Sequence, residues 1–447
     1  MTNKLAFVAV LVVDCGGILT WISKALLGIS ENSPESCGER RFLSNPSVVR
    51  ALQGMGCSEL CLLQSAMGHD GSSLACVNFD GKGGAKLAPR GVSEHCGWGH
   101  QIDKTRASRA RHFEQFLRDA APTNGTKGSA LVELHDGSTS TPDMGRRFAF
   151  LHTPILSSSA HIDQKHIMLI PDADFVGSRG YRSLNTKVDL ASRRSPWHKK
   201  KTKVVFRGST TGFIPSDPNI DQLRRNTRIA LALLAKERNQ DSSYSADYLR
   251  WDVAVSTVNL PGVEVQKAVL ALGITKPELD YDDQIAARGI FDVDGNTNAW
   301  SACWWKLRSN SVALKVHSPL RQWYYHRLSP WVHFIPIRED LSDVDQKVAF
   351  VLNASNDKFL KNISRAATQL TRDLSYEIEV AKVRAQLEAC FAHGHCAPGG
   401  RAPLSDSEIS ALESAFLKGL NRALEIDVDL WVALEEAVGC HAAVLKI

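Results

Sequence analysis

The sequence shows no internal repeat, no low-complexity tract and little excess of charge of either sign. Its 53 basic and 48 acidic residues leave a net charge of +5 spread over 447 residues. That excess is too dilute to argue for a nucleic-acid surface, although a modestly basic cleft for an anionic ligand fits it. Metal-ligand spacing is also missing. Cys57 and Cys61 lack the regular CxxC pairing with accompanying histidines, and His161, His166, His393 and His395 have no convergent Cys or carboxylate partners. No lysine stands where a P-loop would need one, which disfavours a nucleotide triphosphatase. What remains is an ordinary globular composition, 43% hydrophobic and 23% charged, in a chain too long for one typical core.

The N-terminal segment has Lys4, an apolar run over Leu5–Val13, and then Asp14. This pattern reads as a signal peptide or signal anchor over residues 1–28. Extended through Leu27 it approaches spanning length, but Asp14 and Lys24 would lie within it at a cost. A buried helix of the mature protein is the alternative. Residues 29–100 read as a loop-rich segment in which Cys37, Cys57, Cys61, Cys76 and Cys96 suit disulfides better than a reduced core. Three sequons, Asn124-Gly-Thr, Asn353-Ala-Ser and Asn362-Ile-Ser, permit the same secretory reading.

Residues 101–196 alternate an amphipathic helix over Ser108–Ala120 with short strands at Ala130–Leu134, Phe148–Leu151 and Ile167–Ile170. Residues 197–390 repeat strand and helix in the order of a Rossmann-like parallel sheet. Helices are expected at Thr227–Lys236, Val263–Leu272, Ser342–Leu352 and Asp357–Val383. Residues 391–447 form a linker and helical tail, opened by Ser405-Asp-Ser-Glu408 in capping-box style.

Two loops could carry chemistry. Val204–Phe206 reads as a strand ending at Arg207-Gly208-Ser209-Thr210-Thr211-Gly212, where glycine lets the backbone approach a ligand. Arg207 there could bridge a diphosphate bidentately. Ile290–Val293 reads as a second strand, followed by the polar loop Asp294–Asn298, a helix through Leu307 that Ser301 can cap, and a strand at Ser311–Val316. Free N–H groups at that helix start would suit a diphosphate; a plain βαβ turn without a ligand fits the spacing as well. Asp172-Ala173-Asp174 is a DxD that would suggest a metal-dependent GT-A transferase. Trp304, Trp305, Trp323, Tyr324 and Tyr325 are mostly core by their spacing.

These loops, with Trp323-Tyr324-Tyr325 and Pro330-Trp331-Val332-His333-Phe334-Ile335-Pro336-Ile337, resemble glycosyltransferase family 90, the capsule-associated and lipopolysaccharide-modifying group that includes protein O-glucosyltransferases. Phe206-Arg207-Gly208-Ser209 is similar to its FRGS motif, and Asp294-Gly295-Asn296 with Trp300 to its DGN-x-x-x-W motif. The resemblance covers roughly residues 130–385. It implies an α/β, GT-B-like fold with two Rossmann-like domains facing a cleft, and inverting transfer from a UDP-sugar, glucose or xylose, to a hydroxyl of a protein or glycan. No cofactor or metal is implied beyond the donor itself. The donor site would comprise Arg207, Gly208, Ser209, Thr210, Arg228, Asp294, Gly295, Asn296, Asn298, Ala299 and Trp300. The catalytic base of the O-glucosyltransferase branch carries over to Asp136, at the end of Leu131-Val132-Glu133-Leu134-His135-Asp136. His135 stands where that branch tends to place Arg, and a turn carboxylate before Gly137 is the plainer reading of Asp136. Ser301-Ala302-Cys303 replaces an arginine that animal and fungal relatives carry early in the helix, which leaves Arg207 and Arg228 to balance the diphosphate charge. The secretory lumen is the expected location, with or without a membrane anchor, or the cytoplasm for a bacterial chain. A non-catalytic nucleotide-sugar- or glycan-binding relative is the remaining alternative.

Overall fold

The computed structural model describes residue 57 and residues 74–87, 104–134, 153–164, 167–240 and 251–393. The chain divides into two compact units, Met1–Ser157 with Asp163–Ile170 and Val380–Ile447, and Ser158–Ile162 with Pro171–Glu379. The N-terminal segment, the Phe148–Leu151 strand expected from sequence, Asp136 and the tail beyond His393 lie outside the described residues.

In the first unit, strands β1 (Leu74–Phe79), β2 (Ala85–Leu87), β3 (Gly128–Glu133), β4 (Ile155–Ser157) and β6 (Ile167–Leu169) form one sheet in the order β2-β1-β3-β4-β6. β1 runs antiparallel to both neighbours, while β3, β4 and β6 are parallel. Residues 74–87 thus form a hairpin inside the stretch that reads as loop-rich. Its turn is organised by Asp80, whose Oδ1 accepts from the N–H groups of Lys82 (2.7 Å) and Gly84 (2.8 Å). A disulfide joins Cys57 to Cys76 of β1, and Cys390 is also disulfide-bonded. The helix Lys104–Asp119 buries Phe113, Phe116 and Leu117, the apolar stripe read from the sequence.

The second unit contains an antiparallel ribbon, β5 (Ser159–His161) against β11 (Leu320–Gln322), and a wholly parallel sheet. That sheet consists of β7 (Lys201–Ser209), β8 (Trp251–Thr257), β9 (Ala287–Asp292), β10 (Val312–Val316) and β12 (Ile335–Ile337), ordered β12-β10-β9-β7-β8. Every residue of β9 and β10 is buried, as expected where helices cover both faces. Alternation along β7 shows the two faces. Val204 and Phe206 pack with Ile229, Leu233, Val269 and Val348, whereas Val205 packs with Val188, Ala191, Ile290 and Trp305.

The order of this sheet positions the site. The chain starts at β7, adds β8 on one side, and then crosses to build β9, β10 and β12 on the other. The direction of winding reverses between β7 and β9, and in open α/β sheets ligands bind beyond the carboxyl ends of the strands at such a switch point. Those ends are Ser209 and Asp292, where the two glycine-bearing loops of the sequence begin.

One expected element differs. The single helix read over Asp357–Val383 is two helices, Asp357–Asp373 and Tyr376–His393. Leu374 leaves helical geometry (φ −102°, ψ 99°), and the Ser375 hydroxyl accepts the N–H of Ile378 (3.2 Å), capping the second helix. Among the described residues no helix is long and apolar enough to cross a membrane.

Candidate active site

β7 extends through Arg207-Gly208-Ser209, which the sequence reads as loop, so the loop proper begins at Thr210. Asn226 fixes its path from just before the helix Thr227–Gln240. Its Nδ2 donates to the carbonyls of Thr210 (3.0 Å) and Phe213 (2.9 Å), while its Oδ1 accepts from the N–H groups of Arg228 and Ile229 (3.2 Å each). One fully buried side chain caps the helix and pins the loop.

Arg228 then ties this loop to the one after β9. Its guanidinium donates from Nε to the Asp294 carbonyl (3.2 Å), from Nη1 to the Ser209 carbonyl (3.0 Å) and Thr211 Oγ1 (2.7 Å), and from Nη2 to the Val293 carbonyl (2.9 Å). Burial lowers its pKa and the nearby carboxylates of Asp292 and Asp294 oppose that, so it remains a cation. A further tie is the Gly212 N–H, which donates to Asn296 Oδ1 (3.0 Å). Gly295 has to be glycine for this approach, because a Cβ there would stand 2.5 Å from Thr211 Oγ1 and 3.0 Å from Arg228 Nη2. Gly295→Ala is therefore expected to push the loops apart at a cost of about 1–3 kcal/mol. A lowered Tm together with weakened UDP binding would show it, whereas wild-type values for both would mean the loops need no such contact.

The Asp294–Trp300 loop is stiffened from inside. Asp294 Oδ1 accepts the N–H of Ala299 (3.0 Å), and Oδ2 accepts from Ser318 Oγ (2.5 Å) and Asn298 Nδ2 (3.3 Å). Buried Asn298 and Thr297 both bond to Ser159 Oγ, the latter at 2.6 Å, anchoring the loop on the β5–β11 ribbon. The helix Trp300–Arg308 follows, with Ala299 at its cap and no side-chain cap bond, so Ser301 does not play the capping role read from sequence. Trp300 opens this helix at φ +30°, a strained value for a bulky residue.

A buried charge cluster lies beneath the loop. Asp292 bonds Lys306 and Lys315, each at 2.9 Å, and Lys315 also reaches Asp294 (3.5 Å). Burial alone would raise the Asp292 carboxyl, but the two ammonium groups outweigh it and hold the pKa far below the usual carboxylate range.

Two expected donor residues face elsewhere. Arg207, expected to bridge a diphosphate, is committed to the neighbouring strand. Nη2 bonds Asp252 Oδ1 (2.6 Å), Nη1 the carbonyls of Phe206 and Asp252 (2.8 Å each), and Nε the Pro277 carbonyl (3.1 Å). Burial would raise the Asp252 carboxyl, yet hydrogen bonds from Arg207 and Lys203 hold it well below its ordinary value. Arg207 is thus a strut between β7 and β8 rather than a free fork. Thr210 is fully buried, and its Oγ1 accepts the N–H of Asn259 (2.8 Å).

The sequence model of the glycosyl transferase family 90 matches residues 129–380, more than half of the chain. The chain belongs to that family. Among curated relatives, Protein O-glucosyltransferase 3 of Rattus norvegicus is 27% identical over 227 residues, covering 49% of this chain and 38% of the relative. Protein O-glucosyltransferase 1 of Homo sapiens is 25% identical over 178 residues, 40% of this chain and 38% of the relative. Uncharacterized protein 179R of Invertebrate iridescent virus 6 is 25% identical over 189 residues, 39% of this chain but 15% of the relative. The matched part thus spans less than half the length of each of these relatives. The family is described as one of glycosyl transferases, enzymes that act on a sugar donor and an acceptor.

For this family 90 chain the DxD reading fails on geometry. Asp172 is fully buried and caps the short helix Ala173–Gly177, with Oδ1 accepting from the N–H groups of Asp174 (3.2 Å) and Phe175 (3.0 Å). Its Oδ2 accepts from Tyr181 Oη (2.5 Å) and Gln322 Nε2 (3.4 Å), and Phe175, which Asp172 caps, packs its ring against Tyr181, Trp304 and Trp323. Both oxygens are spent on the fold, so Asp172 and Asp174 do not make an open cation site. Trp304, Trp323 and Tyr324 are buried core, as read.

Burial raises the Asp172 carboxyl to about 6, against the bond from Tyr181. The fold therefore prefers the neutral acid. Stability should fall as pH rises from the ordinary 3.8 to about 6 and then level off, by about 3 kcal/mol in all. Asp172→Asn keeps a capping oxygen and has nothing to ionise, so its melting curve should lose that slope while transfer activity stays unchanged. Loss of activity with an unaltered pH slope would reinstate Asp172 as a metal ligand.

Asn226, Ser159 and Ser318 are site residues that sequence reading missed. Only Asn226 carried a local signal, as a capping residue directly before the apolar helix Thr227–Gln240.

Proposed function

We propose that the chain is an inverting, GT-B-like glycosyltransferase that moves glucose or xylose from a UDP-sugar to a hydroxyl of a protein or glycan. The observation that carries this reading is the pair of glycine-bearing loops at the switch point of the parallel sheet, locked together by Arg228. Loop N–H groups and the first turn of the helix Trp300–Arg308 offer a diphosphate positive partial charge without a cation. Arg228 adds a full positive charge directly behind them. Ser209, Thr211, Gly212, Gly295, Asn296, Ala299 and Trp300 are the donor residues of this reading; Arg207 and Thr210 support them from behind.

Transfer needs charge control at both ends of the reaction. The acceptor hydroxyl must lose its proton as it attacks the anomeric carbon, and the departing UDP must have its growing negative charge stabilised. Asp136 is proposed as the base. It follows β3, whose approach is anchored where Arg109 Nη1 donates to the Leu134 carbonyl (3.0 Å). The relatives' names point to protein acceptors, and the Cys57–Cys76 disulfide supports an oxidising secretory lumen as the place of action.

A donor-hydrolysis screen tests the reading. Purified chain in EDTA should release UDP slowly from UDP-glucose or UDP-xylose, with the freed sugar appearing first as the β-anomer. Release that needs manganese, or that gives the α-anomer first, would contradict it.

A further inference from the structure

The sequence contains three asparagine sequons that sugar transfer does not use, and the fold treats them differently. Asn124 is exposed in the turn between the helix Lys104–Asp119 and β3. Its Oδ1 accepts from both the N–H (3.1 Å) and the hydroxyl (2.5 Å) of Thr126. The turn is fastened by Gly83 N–H to the Pro122 carbonyl (2.8 Å), Thr123 N–H to Glu388 Oε1 (3.1 Å) and Gly125 N–H to the Gly81 carbonyl (2.9 Å), all of them contacts of the turn's backbone that leave the Asn124 side chain exposed. Gly125 lies at φ +90°, and a Cβ built there would meet nothing within 4 Å. The Asn124 side chain is thus exposed, and the hydroxyl already polarises the amide.

Asn353 is exposed too, and its Oδ1 accepts the N–H of Ser355 (2.9 Å). Its backbone is held on both sides as well, by Asn353 N–H to Ala349 and by Asn356 N–H to Asn353, each at 3.1 Å, so the difference from Asn124 is that the Thr126 hydroxyl bonds to the Asn124 amide. Asn362 lies inside the helix Asp357–Asp373, and its sequon hydroxyl, Ser364, is buried and donates to the Lys361 carbonyl (3.3 Å). That hydroxyl is turned away from the amide it would have to activate.

We infer that Asn124 is a site of N-linked glycosylation. The disulfide between Cys57 and Cys76, in the same unit, belongs to the oxidising compartment where such transfer takes place. The co-reactant is an oligosaccharide linked to lipid through a diphosphate. The amide Nδ2 attacks its anomeric carbon, a C–N bond replaces the C–O bond, the lipid diphosphate leaves, and one amide proton passes to the transferring enzyme. The inference concerns this chain as an acceptor and stands whether or not its own donor reading holds.

The full chain, produced in insect cells with its own N-terminus, can be treated with peptide-N-glycosidase in ¹⁸O-water and mapped by mass spectrometry. Asn124 should be converted to ¹⁸O-labelled Asp in most molecules, with occupancy falling from Asn124 to Asn353 to Asn362. Asn124→Gln and Thr126→Ala should each remove one step of gel mobility. An unmodified Asn124 in the wild-type chain, for whatever reason including failure to reach the lumen, overturns the inference. So does equal occupancy at Asn362, which would mean that the folded environment of the sequon has no influence.

Discussion

Replacing Asp136 with asparagine should slow sugar transfer by roughly 10²–10⁴-fold, the usual scale for loss of a general base. Asparagine keeps the size and hydrogen-bonding shape of the side chain but cannot take a proton at neutral pH. UDP affinity should stay nearly intact, because the proposed donor contacts come from the loops after β7 and β9. Tm should barely move, since asparagine matches aspartate in size and shape. The informative comparison is the initial rate at saturating donor beside UDP affinity and Tm in one preparation. Normal turnover in a folded Asp136→Asn chain would make the residue a bystander and direct attention to buried Glu133, at the end of β3.

The second large effect is expected at Arg228. Arg228→Ala removes a cation and leaves the carbonyls of Ser209, Val293 and Asp294 and the hydroxyl of Thr211 without their shared donor. A charge-assisted hydrogen bond is worth about 1.5–3 kcal/mol, so a diphosphate that loses even one such contact when the loops are no longer held would bind roughly 10–100-fold more weakly. Arg228→Lys should not restore binding, because a point charge cannot reproduce a planar fork that spans two loops. Arg207→Lys offers the contrast. It should lower Tm through the lost bonds to Asp252 and Pro277, with much less effect on UDP affinity in the folded fraction. The reverse pattern, binding lost with Arg207 and kept without Arg228, would restore Arg207 as the diphosphate ligand.

The two arginines show how far the sequence could be read. Their presence beside glycine-rich loops was legible, because loop composition reports where the backbone bends and approaches a ligand. Their direction was not. Arg207 lies in a strand, and its guanidinium is claimed by Asp252, a residue 45 positions away that only the β7–β8 pairing brings near. Arg228 sits at a helix start, yet its partners come from residues 209–211 and 293–294. The same limit explains Asp172, which carries the local spelling of a metal motif but receives Tyr181 and Gln322 on its free oxygen. The parallel sheet was legible from apolar runs such as Val204–Phe206 and Val312–Leu314, because strands covered on both faces need no polar alternation. The hairpin of residues 74–87 was hidden by its glycines and polar turn. The break at Leu374-Ser375 was hidden by helix-forming residues on either side.

The switch-point loops are proposed to hold a nucleoside diphosphate without a cation. Calorimetric titration of the wild-type, Gly295→Ala and Arg228→Ala chains with UDP, each in EDTA and again in manganese, tests it most directly. Wild type should bind UDP equally in both buffers, and both variants should bind it much more weakly. Wild-type binding that appears only with manganese, or full affinity in both loop variants, would contradict the account.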